Sequence, residues 1–206
     1  MINNSIKYLS LNICIIFSKY YIIIIKSFGG MKLRYVLVSV VKGKAGDFNN
    51  NLRKDVYHKF NAKSSKLPAH FTIKSPFESE NINELEEILD AFAKNNNKAS
   101  YTLNGYDHFD DRVIFMKVNM SHEGKNLHDK LIDELNKISY INFDEKDGKN
   151  KIFHVTISSK KIKKIYHELW NYVNQFSFNF HCEFNNICIY KWNNNTWELH
   201  KEYLFK

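Results

Sequence analysis

The chain has 206 residues and a mass of 24.5 kDa, enough for one domain with a sizeable core or for two small lobes sharing an interface. A hydrophobic fraction of 44% and an aromatic fraction of 15%, with only two prolines and seven glycines, exclude a disordered, collagenous or low-complexity body. The formal charge of +8 favours a polyanionic partner over a basic one, and the three cysteines form no CxxC pair or zinc-ligand spacing, which suggests a reducing compartment.

Residues 1–30 differ from the rest. The stretch YLSLNICIIFSKYYIIIIKSF is apolar enough to raise a signal peptide or a membrane anchor, but Asn12, Ser18 and Lys19 interrupt it. A lysine near the middle of a span costs about 2.5–3.5 kcal/mol on insertion scales, and no A-x-A cleavage site follows. The expectation is an apolar N-terminal extension, from a misplaced start codon or as a dispensable tail. It makes no stable membrane association, and the fold occupies residues 31–206 of a cytoplasmic monomer.

Met31 opens LRYVLVSVV (33–41), a β-branched run of strand length. A helix is predicted over 47–60, where Phe48, Leu52, Val56 and Phe60 recur every four residues. AHFTIKSPF reads as a strand closed by Pro76, and NINELEEILDAFAKN (81–95) as the clearest helix, with Ile82, Leu85, Ile88, Leu89 and Phe92 in one stripe. Two strands follow, SYTLNGYDHF and RVIFMKVNM, then a helix over 124–138 and the strand KIFHVTISS. A helix over 161–173 and the strands FSFNFHCEF, NICIYKW and WELHKEYLF complete the chain. The order reads as two lobes, each carrying one His-x-Thr strand after a helix, which fits an internal duplication.

The motif itself is unusual in so little threonine. The chain has four threonines and nine histidines, yet His70-Phe71-Thr72-Ile73 and His154-Val155-Thr156-Ile157 repeat one figure. Chance supplies about 0.2 such pairs at this composition, although short motifs always carry false matches. Because strand side chains alternate, each imidazole shares a face with a hydroxyl while the apolar neighbours point away. Two such faces across a cleft are the equipment for acid/base work on a phosphodiester: a neutral imidazole accepts a proton, a charged one donates, and hydroxyls hold the non-bridging oxygens. No metal or other cofactor is demanded. The same alternation places Lys74 and Ser158 as further candidates for phosphate binding.

Paired His-x-Thr motifs 84 residues apart, in a chain of this order, resemble the 2H phosphoesterase superfamily, which includes bacterial 2'-5' RNA ligase-like proteins and 2',3'-cyclic nucleotide phosphodiesterases. The resemblance covers about residues 31–206. It implies an α+β, bilobal architecture in which two antiparallel sheets face a central cleft with helices outside. It places His70 and His154 as the catalytic pair and Thr72 and Thr156 beside them. The tails HFTIKSPF and HVTISSKK lack the Leu-Gly and Ala-Arg endings common in the ligase branch, which leaves the substrate open. The expected function is metal-independent hydrolysis, or reversible formation, of 2'-linked phosphodiesters in RNA ends or small nucleotides. The alternative is an RNA-binding module of the same fold without turnover.

Overall fold

The computed structural model describes residues 32–144 and 147–206; the expected N-terminal extension lies outside them. Two four-stranded antiparallel sheets form the body of this α+β fold. The first has the order β2-β1-β7-β8, from His70–Ser79, Leu33–Val40, Asn186–Asn193 and Thr196–Leu204. The second has the order β5-β4-β3-β6, from His154–Ser158, Val113–Met120, Ala99–Phe109 and Asn179–Phe184. The lobes are therefore not successive halves of the chain, because the C-terminal hairpin β7–β8 returns to pair with β1.

Four helices cover the apolar faces: α1 (Gly43–Phe60), α2 (Asn83–Asn95), α3 (His122–Leu135) and α4 (Tyr166–Val173). Helix α1 starts four residues before the predicted start at 47. Gly43 makes the entry turn at φ 62°, and at Gly46 a Cβ would sit 2.1 Å from the Val41 carbonyl oxygen, so glycine lets the first turn lie against the strand it leaves. The helix stops at Asn61 in the left-handed conformation (φ 51°), whose N–H bonds the Tyr57 carbonyl at 2.8 Å. Ser121 caps α3, its hydroxyl accepting from the Gly124 N–H at 3.0 Å. The last predicted helix begins later than expected: a 3-10 turn at Lys163–Ile165 precedes α4, following Lys161 at φ 63°.

Pro76 does not end its strand. β2 continues to Ser79 because it is the outer strand of its sheet and the register against β1 slips between Tyr35 and Leu37, so a missing N–H removes no ladder bond there.

The core fills the space between the inner faces of the sheets and the helices. Phe71 of β2 sits at its centre, edge-to-face with Tyr101 (5.6 Å), Phe153 (5.7 Å) and Phe184 (5.1 Å). Burying such a ring stabilises by about 1.5–3 kcal/mol, and here the same ring joins the two sheets. No helix among the described residues is long and apolar enough to cross a membrane.

Candidate active site

The two motif strands are the outer strands of different sheets, and they lie against each other along the junction. Each shows the same exposure: the His and the Thr half-buried, the residue between them and the two after them buried. Phe71, Ile73, Val155 and Ile157 enter the core, as period-two alternation requires.

Both imidazoles are held in the same way. His70 Nδ1 lies 2.6 Å from the Pro68 carbonyl oxygen, and His154 Nδ1 lies 2.9 Å from that of Ile152, in each case two residues back. A carbonyl can only accept, so Nδ1 carries the proton and Nε2 is the nitrogen left for a substrate. His154 is further wedged between aromatic rings, 5.1 Å from Phe109 and 5.0 Å from Phe115. Burial pushes the His70 pKa down to about 4, against the opposing bond to Pro68; the charges of Arg53 and His154 add to the depression. His154 is also lowered by burial, opposed by its bond to Ile152, with Lys151 as the cation bearing on it. That the charge of one imidazole acts on the other places the pair within electrostatic reach across the junction.

Lys74 and Ser158 depart from the expected face, for one shared reason. In β2 the register steps from Val38↔Thr72 to Leu37↔Lys74, and in β5 from Phe115↔Thr156 to Ile114↔Ser158. Each strand thus carries one extra residue straight after its threonine, and this bulge turns the next side chain inward. Lys74 is 5% exposed, its amine 2.6 Å from Asp147 Oδ2 and 2.9 Å from Ser75 Oγ. Asp147 also accepts from the Ser75 N–H at 3.2 Å and from its hydroxyl. Burial acts to raise the Asp147 pKa, but these partners hold it below the usual carboxylate value. Ser158 is fully buried and donates to the Lys63 carbonyl at 3.0 Å. Neither group is available to a phosphate on the His-Thr face.

Other residues stand at the site without having been singled out. Lys117 of β4 is exposed and pairs across the ladder with His154, and Phe115 pairs with Thr156, so both share the motif face. The alternation of RVIFMKVNM contains that signal, but its register against KIFHVTISS does not follow from either sequence. Arg53 of α1 braces the loop that leads into His70, donating to Ser64 Oγ (2.7 Å), the Ser65 carbonyl (2.5 Å) and the Leu67 carbonyl (3.0 Å). Among the described residues no group of three or more His, Cys, Asp or Glu is placed to hold a metal ion.

Two antiparallel sheets that meet along paired His-x-Thr strands define a protein of the 2H phosphoesterase type. The family model of the 2'-5' RNA ligase superfamily matches residues 46–196, and the chain belongs to that superfamily. No curated protein matches the sequence. Among solved structures, the protein TT0787 of Thermus thermophilus superposes with a TM-score of 0.58 at 11% identity, covering 84% of this chain and 97% of that one. E. coli LigT in apo form gives 0.52 at 11% identity (85% and 98%), and LigT complexed with ATP gives 0.52 at 10% (85% and 99%). At such identities these similarities show the fold.

Proposed function

We propose that the chain is a phosphoesterase that opens 2',3'-cyclic phosphates, or acts on 2'-5' linkages, at RNA ends or in small nucleotides, by paired-histidine acid/base catalysis. Superfamily membership supports phosphodiesterase- or ligase-type chemistry in general. The observation that carries the finer reading is the matched restraint of His70 and His154, each presenting Nε2 from the outer strand of its own sheet.

In hydrolysis of a cyclic phosphate, one neutral Nε2 takes a proton from water as its oxygen bonds to phosphorus. The bond from phosphorus to one ribose oxygen breaks, and the other imidazolium gives that oxygen its proton. Thr72 and Thr156 donate to the non-bridging oxygens, where charge develops. Burial, with the charges of Arg53 and His154, opposes a proton on His70, which suits His70 to the base. Burial and Lys151 lower His154 as well, and His154 takes the acid's part because the reaction needs one protonated partner opposite the base. Both proton-transfer groups are imidazoles, so the reading requires no metal.

The experiment is turnover of a 2',3'-cyclic nucleotide in EDTA by the wild-type chain and by His70→Ala and His154→Ala. Turnover that survives chelation and falls in both variants is expected. A folded His70→Ala protein with full activity overturns the proposal, as does activity that vanishes on chelation and returns with zinc or manganese.

A further inference from the structure

Beside the motif strands lies an open pocket of about 680 Å³ between the second half of α1, the loop after it and the residue pair that follows β5. Five cations line it, Arg53, Lys54, Lys63, Lys66 and Lys160, and no carboxylate does. Several surface lysines elsewhere are matched with acids, as in Lys94–Asp90, Lys98–Glu183 and Lys137–Glu134. Among the described residues none of the five has such a partner. Gathering like charges without acids works against the compact state, and such a concave patch raises the local concentration of anions. Arg53 and Lys66 are occupied by carbonyls, Lys66 bonding that of Asn195 at 2.5 Å, whereas Lys54, Lys63 and Lys160 are exposed. Tyr57 stands 44% exposed in the same wall, with the Lys63 amine 5.4 Å from its ring centroid.

The pocket is built into the same backbone as the histidine pair. The Lys63 carbonyl accepts from the N–H groups of Ser159 and Lys160 at 2.9 Å and from Ser158, fixing its rim to the end of β5. On the other side, Arg53 bonds the Leu67 carbonyl one residue before Pro68, whose own carbonyl orients His70. A strand of nucleic acid with its terminal phosphate at the imidazoles would therefore meet these cations next.

We propose that this pocket is a second subsite, which binds the phosphate backbone of the nucleotides preceding the scissile phosphate and stacks one base on Tyr57, so that the preferred substrate is a single-stranded RNA end rather than a free cyclic mononucleotide. A basic groove with an exposed aromatic is how proteins hold single strands without reading sequence. The proposal rests on the phosphoesterase reading only for the position of the scissile phosphate.

The test compares wild type with the triple variant Lys54→Gln/Lys63→Gln/Lys160→Gln. It uses cytidine 2',3'-cyclic phosphate and an oligoribonucleotide of about six residues ending in the same cyclic phosphate, within the usual span of such sites. The ratio of kcat/KM for oligonucleotide over mononucleotide is expected to fall at least tenfold, chiefly through KM. Binding of a fluorescent oligoribonucleotide to the His154→Ala chain, followed by anisotropy, is expected to lose about 2 from its slope against log salt, at about 0.7 per phosphate contact on single strands. The control Lys130→Gln/Lys191→Gln/Lys206→Gln, which likewise removes three charges, away from the pocket, should leave the ratio in place. An unmoved ratio and slope in the triple variant overturn the subsite, as does equal displacement of the oligonucleotide by polyglutamate. If neither substrate turns over, the catalytic reading fails, and the anisotropy slope alone decides the subsite.

Discussion

Replacing Asp147 by Asn tests whether Lys74 is a buried structural cation or a ligand for substrate. Asp147 and Lys74 have side chains only 6% exposed each, 2.6 Å apart, and the Lys151 amine lies 4.0 Å from the same carboxylate with 4% exposure. Asp147→Asn takes the carboxylate from the buried Lys74 ammonium and leaves Lys151 with the more weakly acting Asp144. Losing one partner of a buried pair costs about 3–5 kcal/mol. At about 2–4 °C per kcal/mol for a domain of this size, the melting temperature should drop by about 6–20 °C. Lys74→Met should cost less, because Lys151 still faces the remaining carboxylate, and Lys74→Met with Asp147→Leu should recover only the share due to Lys74, since Lys151 and the Ser75 N–H still lose Asp147. Burial lowers the Lys151 pKa to about 8 even beside Asp147, which raises it, so the Lys151 share of the Asp147→Asn penalty should fade as pH rises toward 8 and be absent above it. Thermal unfolding followed by circular dichroism, beside KM for a cyclic nucleotide, reads all three variants. A Lys74→Met protein that melts like wild type but binds substrate at least tenfold more weakly would refute the buried-pair argument and return Lys74 to the phosphate.

Single replacement of His70 or His154 by Ala should lower cyclic-phosphate turnover by about 10² to 10⁴, and the double variant should lose less than the product of the two, as steady-state kinetics will show. Thr72→Val and Thr156→Val should reduce kcat by smaller factors, since each removes one donor and keeps the strand shape. With His70 acting neutral and His154 charged, kcat/KM should rise as pH climbs through about 4 and fall again below the ordinary histidine value of 6.5, giving an acidic optimum whose basic limb disappears in His154→Ala. His128 is fully buried and pushed down by burial to about 4, so its contribution to stability is complete above pH 6.5 and is lost as pH falls to 4. That loss amounts to about 3 kcal/mol, measurable by denaturant titration across that range.

The motif strands were readable because their alternation is strict over the four residues that matter, and because both copies occur in a chain poor in threonine. The helices were readable from stripes such as Leu85, Leu89 and Phe92, all of which are buried. Extrapolating the same alternation two residues further failed at Lys74 and Ser158. A bulge adds a residue to one strand only relative to its partner, and the partner register of β2 with β1 or β5 with β4 is a tertiary property. Asp147, which captures Lys74, lies 73 residues away in a segment without periodicity. Pro76 misled for a related reason: a proline closes an inner strand but not an outer one, and strand order is set by the returning hairpin at the far end of the chain.

That both histidines ride on outer strands has an evolutionary consequence. No ladder of hydrogen bonds runs between β2 and β5. Beside the packing of Phe71, polar clamps hold their spacing: the Lys151 amine on the Ile73 carbonyl at 3.3 Å, and the Lys63 carbonyl on Ser158, Ser159 and Lys160. Substitution of Lys151, or changes in the loop that carries the Lys63 carbonyl, would alter how far apart the two imidazoles stand while leaving each imidazole, its carbonyl anchor and its neighbouring hydroxyl untouched. On the proposed chemistry a lineage can in this way change the length of the linkage it accommodates by drift at one lysine and in a loop, with the four motif residues held constant.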